Sequence, residues 1–234
     1  MTAKPQASFA YKLNVNYLTR TVFSAFLISA LLSTASYAGN QDPLSLNEQA
    51  KTSALVESVL PSLRMQTETK PNQLSSHELL LIERDRSEDK KSGVRRANAF
   101  VYDYQTDETI IYRIDPVTNK ILSTTRRKNI QLPLTEGEIE RTVNLIFSDK
   151  ETLALIANEY QRITHRTLNS PKDLQAKAFV FTADTLPEQL NSASQQCGLH
   201  RCAQILLYTH DAVVFEISPI VNLSAKLITQ IVGF

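Results

Sequence analysis

The chain has only five glycines and two cysteines in 234 residues. So few glycines leave little room for a phosphate-cradling loop, and no P-loop or dinucleotide spacing occurs. Basic and acidic residues nearly balance, 25 against 24. That excludes a whole-molecule basic field for nucleic acid or an anionic membrane. The four histidines, His77, His165, His200 and His210, are scattered. None stands beside a Ser, Thr or Cys in a way that marks a nucleophile and its base. Each reads as a surface or cap residue. No cofactor is implied.

Charge and hydropathy are uneven in one place only. Lys4, Lys12 and Arg20 precede an apolar run, Thr21 to Ala35, which ends at Ser36-Tyr37-Ala38. This is the pattern of a secretory signal, and residues 1–38 are expected to be removed after Ala38. An uncleaved anchor is the other reading; the run is shorter than the ~20 residues a span needs. The product would be periplasmic or secreted, with 22 basic and 24 acidic residues, net −2. No later stretch is apolar enough to cross a bilayer.

Cys197 and Cys202 lie in CGLHRC. In an oxidising compartment the expectation is a disulfide closing this small loop. A copper or zinc carrier using Cys197, His200 and Cys202 is the sharper alternative, one ligand short of a closed tetrahedral site. A thioredoxin-like pair needs two intervening residues, not four.

Ser45-Leu-Asn-Glu48 is a capping box opening a helix, with Leu46, Leu55, Val56, Val59, Leu60 and Leu63 at near-helical spacing and Pro61 as its end. A polar loop spans Gln66 to Ser76. Strands are predicted at 78–82, 97–104, 109–114 and 120–127, the last two joined by a turn in which Asn119 takes the left-handed region. Thr135-Glu-Gly-Glu138 and Ser148-Asp-Lys-Glu151 read as two further capping boxes, so 132–165 is expected to hold two helices. Strands follow at 176–183, 202–208, 212–217 and 226–232. Thr106–Leu122 lies over Thr209–Ile228 as a repeat, with Pro116 on Pro219 and Asn119 on Asn222. The plan is α+β: two units, 39–130 and 131–234, each a helix plus a four-stranded antiparallel meander with one sheet face left open.

The residues from Arg95 to Ile156, with D-x-x-T-x-K-I at Asp115–Ile121 and the capped helices after Pro133, resemble the small amino-terminal domains of copper amine oxidases. A weaker echo runs from Cys202 to Ile228. The resemblance implies two cystatin-like units. It does not carry the oxidase chemistry over. The sole Asn-Tyr is Asn16-Tyr17, inside the leader, and there is no His-x-His. A cystatin's inhibitory Gln-x-Val-x-Gly is not matched by Gln230-Ile-Val-Gly233.

Arg95, Arg96, Arg126, Arg127 and Lys128 flank the first meander and are expected near one another at a sheet end. They are candidates for binding an acidic partner, or edge charges that block strand pairing. Tyr102, Tyr104 and Tyr112 are expected mostly in the core. The functional expectation is an exported, non-catalytic binding or accessory protein. It would hold an unknown envelope protein through sheet faces or edges, with a homodimer through a sheet left open. An enzyme with a site assembled from scattered residues is the alternative.

Overall fold

The structure, a computed structural model, describes residues 42–60, 76–87, 93–185 and 189–233. Residues 1–38, expected to be a signal, Pro61, Leu63 and most of the loop placed at Gln66–Ser76 lie outside the described residues. The described residues belong to one compact unit.

Three helices and two four-stranded antiparallel sheets make up the described chain. Helix α1 (Leu46–Val59) precedes β1 (His77–Arg84), β2 (Ala97–Asp103), β3 (Glu108–Asp115) and β4 (Lys120–Arg127), paired in chain order. Helices α2 (Glu136–Ser148) and α3 (Lys150–Thr164) precede β5 (Gln175–Phe181), β6 (Cys202–Tyr208), β7 (Ile217–Asn222) and β8 (Leu227–Gly233), again in chain order. Two helix-plus-meander units result, as the patterning implies.

Each sheet buries one face under its own helices. In the first, Val56 of α1 packs on Ala97, Ala99, Val101, Ile110 and Ile114. In the second, Ile146 and Ile156 pack on Ala203, Ile205, Leu207 and Val221. Helix α1 presents only Thr52 and Val56 fully inward, while Leu46 and Val59 face solvent. A 14-residue helix is marginal by itself, so this thin stripe needs help from its cap.

That help comes from an arginine. Arg95, two residues before β2, donates Nε to Glu48 Oε1 (2.7 Å) and Nη2 to Glu48 Oε2 (2.9 Å). It also reaches the carbonyls of Asp42 (3.3 Å) and Pro43 (3.0 Å). Glu48 is the capping-box residue of α1, and its Oε2 accepts the Ser45 amide (2.8 Å). The second unit repeats the device atom for atom. Arg201, just before β6, donates Nε and Nη2 to Oε1 and Oε2 of Glu138, the capping-box residue of α2. It donates to the carbonyls of Leu132 and Pro133 (both 3.0 Å). The two boxes read Pro43-Leu-Ser-Leu-Asn-Glu48 and Pro133-Leu-Thr-Glu-Gly-Glu138.

The structural repeat is therefore not in the register expected from the hairpins. Pro116 sits in the β3–β4 turn, whereas Pro219 lies inside β7, and of the strand expected at 212–217 only Ile217, the first residue of β7, is in a strand, with a lone bridge at Val214. Asp115 corresponds to Asn222 and Asn119 to Lys226. Asp115 and Asn222 each accept turn amides, and Asn119 and Lys226 share a left-handed φ (53° and 59°). A proline in a central strand looks like a breaker. It is tolerated because the β6–β7 ladder stops at Gln204–Ile220, and the Ser218 hydroxyl satisfies the Ile205 carbonyl at 2.8 Å instead. The second helix boundary also moves by one. Asp149, not Ser148, caps α3, through its carboxylate and the Thr152 amide (2.8 Å).

The Arg95 hydrogen bond holds the Glu48 carboxyl down to about 2 from an ordinary 4.5. A carboxyl lowered on folding contributes stability above its unfolded value, lost as pH falls through the folded one. Protection of α1 amides, corrected for intrinsic exchange, should therefore drop between pH 4.5 and about 2. Glu48→Gln should flatten that dependence and lower protection at neutral pH.

Candidate functional site

Most of the chemistry-bearing side chains converge where the two units meet. Arg201 and Glu138 are both fully buried. Glu138 accepts from Arg201 twice, from the Thr135 amide (2.9 Å) and from the Tyr104 hydroxyl (2.7 Å). Tyr104 follows β2 of the first unit, so this carboxylate is shared between the two. Arg201 also lies over the Tyr102 ring, 5.4 Å from its centroid. Next to it, Glu78 of β1 accepts from Thr135 (2.6 Å) and Arg141 (2.7 Å). Burial opposes the Arg201 charge, and the Glu138 bond and charge outweigh it. Burial, then the Glu138 charge, pushes the Tyr104 phenol well above its usual range.

The CGLHRC loop forms the rest of the contact. Cys197 and Cys202 are disulfide-bonded, as expected. Their sulfurs are bonded to each other, so neither is a thiolate donor for a metal. His200 Nδ1 lies 2.6 Å from Asp107 Oδ2, and Asp107 Oδ1 accepts from Ser224 (2.5 Å) and Tyr102 (2.9 Å). Asp107 belongs to the β2–β3 turn of the first unit. Gln131 donates to the Gly198 carbonyl at 3.0 Å. Among the described residues no group of three or more His, Cys, Asp or Glu could hold a metal ion. The cluster's carboxylates are occupied by neighbouring donors, and its arrangement can hold two units together.

The basic residues singled out from sequence do not form one patch. Arg95 and Arg96 lead into β2 at Ala97, which pairs with Ile114, whereas Arg126 and Arg127 pair with Ile110 and Thr109. These are opposite ends of β3, ~17 Å apart at 3.3–3.4 Å per residue. Arg95 belongs to the clamp, Arg96 pairs with Asp115 (3.0 Å), and Arg126 pairs with Asp103 and Glu108 (3.1 and 3.2 Å). Arg127 and Lys128 are exposed. Tyr102 and Tyr112 are core residues. His165 ends α3 in a left-handed conformation, and His210 bonds Gln175 and the Lys172 carbonyl.

The sheet edges differ from one another in a way that no local sequence signal displays. The outermost strands are β1, β4, β5 and β8. Three of them carry an extra residue against their neighbour: Leu80 in β1, Leu122 in β4 and Thr229 in β8. Such bulges bend an edge and spoil it as a template for a further strand. Strand β5 pairs with β6 over seven consecutive residues without a register shift. Its face away from the helices shows Lys177 and a half-exposed Phe179 (52%), beside the partly buried Leu206 and Tyr208. Among the described residues no backbone group pairs along its outer edge.

No family model matches the chain, and no curated protein matches it. Among solved structures it is similar to a copper-containing benzylamine oxidase from Hansenula polymorpha, with a TM-score of 0.49 and 12% identity. The likeness covers 84% of this chain and 30% of that one, so this chain spans less than a third of that oxidase's length.

Arg201→Leu leaves the Glu138 carboxylate buried without its cation and should cost about 3–5 kcal/mol in urea unfolding. Arg95→Leu should cost less, since water reaches Glu48. A thiol titration of the folded protein should find none before reduction and two after. Replacing both cysteines by serine should cost about 2 kcal/mol, the unfolded-state constraint of so short a loop.

Proposed function

We propose that this chain is an exported, non-catalytic binding or accessory module that holds a protein partner by pairing along β5. The observation that carries this reading is the contrast among the four edges. Three are bulged, and one is regular, unpaired among the described residues and topped by an exposed phenylalanine. An exposed, regular edge strand invites aggregation. Its one charge, Lys177, guards the edge against indiscriminate pairing, and strand addition is a common use of a regular edge. The main-chain groups supply affinity, and alternate side chains supply selectivity.

Export is supported by the basic and apolar leader with its small residues at 36 and 38. The disulfide agrees with an oxidising compartment. Among the described residues no helix is long and apolar enough to cross a membrane.

The reading is tested with a photo-crosslinking benzoylphenylalanine placed at Phe179, and at Thr125 on the outer face of β4 as control. In the producing cell, adducts with another protein should form from position 179 and not from 125, and Phe179→Asp should abolish function in any assay of the partner. Equal adducts from both positions, or none from either, would sink the assignment of β5. Mass spectrometry of the exported protein should find Gly39 at its amino terminus, and an unprocessed cytoplasmic chain would refute export.

A further inference from the structure

Resting on that reading, we propose that β5 receives an extended segment of another protein that places a carboxylate opposite Lys177 and an apolar side chain opposite Phe179. Alternate residues of a strand share a face, so Gln175, Lys177, Phe179 and Phe181 point to one side of the sheet. Phe181 is sealed beneath Leu190 and the disulfide, which ends the open surface at that side. What remains is a short strip with one cation and one aromatic ring.

The cation is available. Lys177 Nζ lies 5.9 Å from the Tyr208 ring centroid and has no carboxylate partner among the described residues. Lys172, just before the strand, is also exposed. Beyond the strand's other end, Asp184 already accepts the Thr182 hydroxyl. Phe179 adds apolar surface two residues along, 52% exposed. An antiparallel segment would read apolar-x-carboxylate against this pair, because directly opposite residues interact across strands.

A second copy paired through its own β5 does not meet the requirement. Strand β5 reads QAKAFVF and contains no acidic residue. Pairing β5 with β5 would bring in a second lysine and no carboxylate.

The test uses the full mature protein with three fluorescein-labelled nine-residue peptides. Each has valine at alternate positions on one face, with Glu, Gln or Lys at the position opposite residue 177. The Glu peptide should bind about threefold more tightly than the Lys peptide by anisotropy at low salt, and Lys177→Glu should reverse the order. With benzoylphenylalanine at position 179, the Glu peptide should be cross-linked preferentially. Equal binding of all three, or no cross-link from any, overturns this inference. It does not touch the module reading if cellular adducts still form from position 179. A self-adduct with dimer mass in sedimentation overturns it as well, and gives the edge to a second copy.

Discussion

The structure depends on one interaction used twice: an arginine at the start of a sheet's second strand gripping the capping glutamate of the helix that covers that sheet. The glutamate is already committed to the helix terminus, where its carboxylate satisfies an orphan amide and meets the positive end of the helix dipole. Adding a bidentate guanidinium fixes the helix start against the strand in both position and direction. The same arginine takes two carbonyls of the chain entering the helix. Helix entry, cap and strand start are thereby locked to one another before much apolar surface is counted. This matters most for α1, whose inward stripe is too thin to orient it alone.

The two clamps differ in what covers them, and that difference explains how one compact unit arises from two. The Arg201–Glu138 clamp is sealed under Tyr102 and Tyr104 of the first unit, while Arg95 and Glu48 keep some exposure. A buried charge pair is tolerable only when its remaining donors and acceptors are satisfied. Tyr104 and the carbonyls of Leu132 and Pro133 do that for this one. The interface is thus specified by hydrogen-bond geometry more than by apolar fit. The short disulfide loop delivers both His200 and Arg201 to it.

Much of this was legible in the residues, and some could not be. Capping boxes at Ser45 and Thr135, the left-handed Asn119 and the β4 and β6 boundaries follow from local chemistry, and local chemistry is what a single sequence displays. The boxes even announce the repeat, as Pro-Leu-[Ser/Thr]-x-x-Glu. The hairpins misled because both contain a proline, and only tertiary pairing tells a turn proline from one inside a strand whose ladder has a gap. Arg201 was hidden for the same reason. Its partner is 63 residues away, and nothing local marks it as more buried than Arg127.

The edge of β5 sits at the limit of that legibility. Its composition, QAKAFVF, reads like any half-buried strand, and bulges in the other edges depend on register, which sequence leaves unstated. Yet the comparison within one chain is informative because β1 and β5 are the same strand of the same repeated unit. The first carries the extra Leu80 and the second carries none. Stability does not demand the regular version, since the first unit folds with the bulged one. What a regular edge adds is a row of main-chain donors and acceptors at constant spacing, the template a further strand requires.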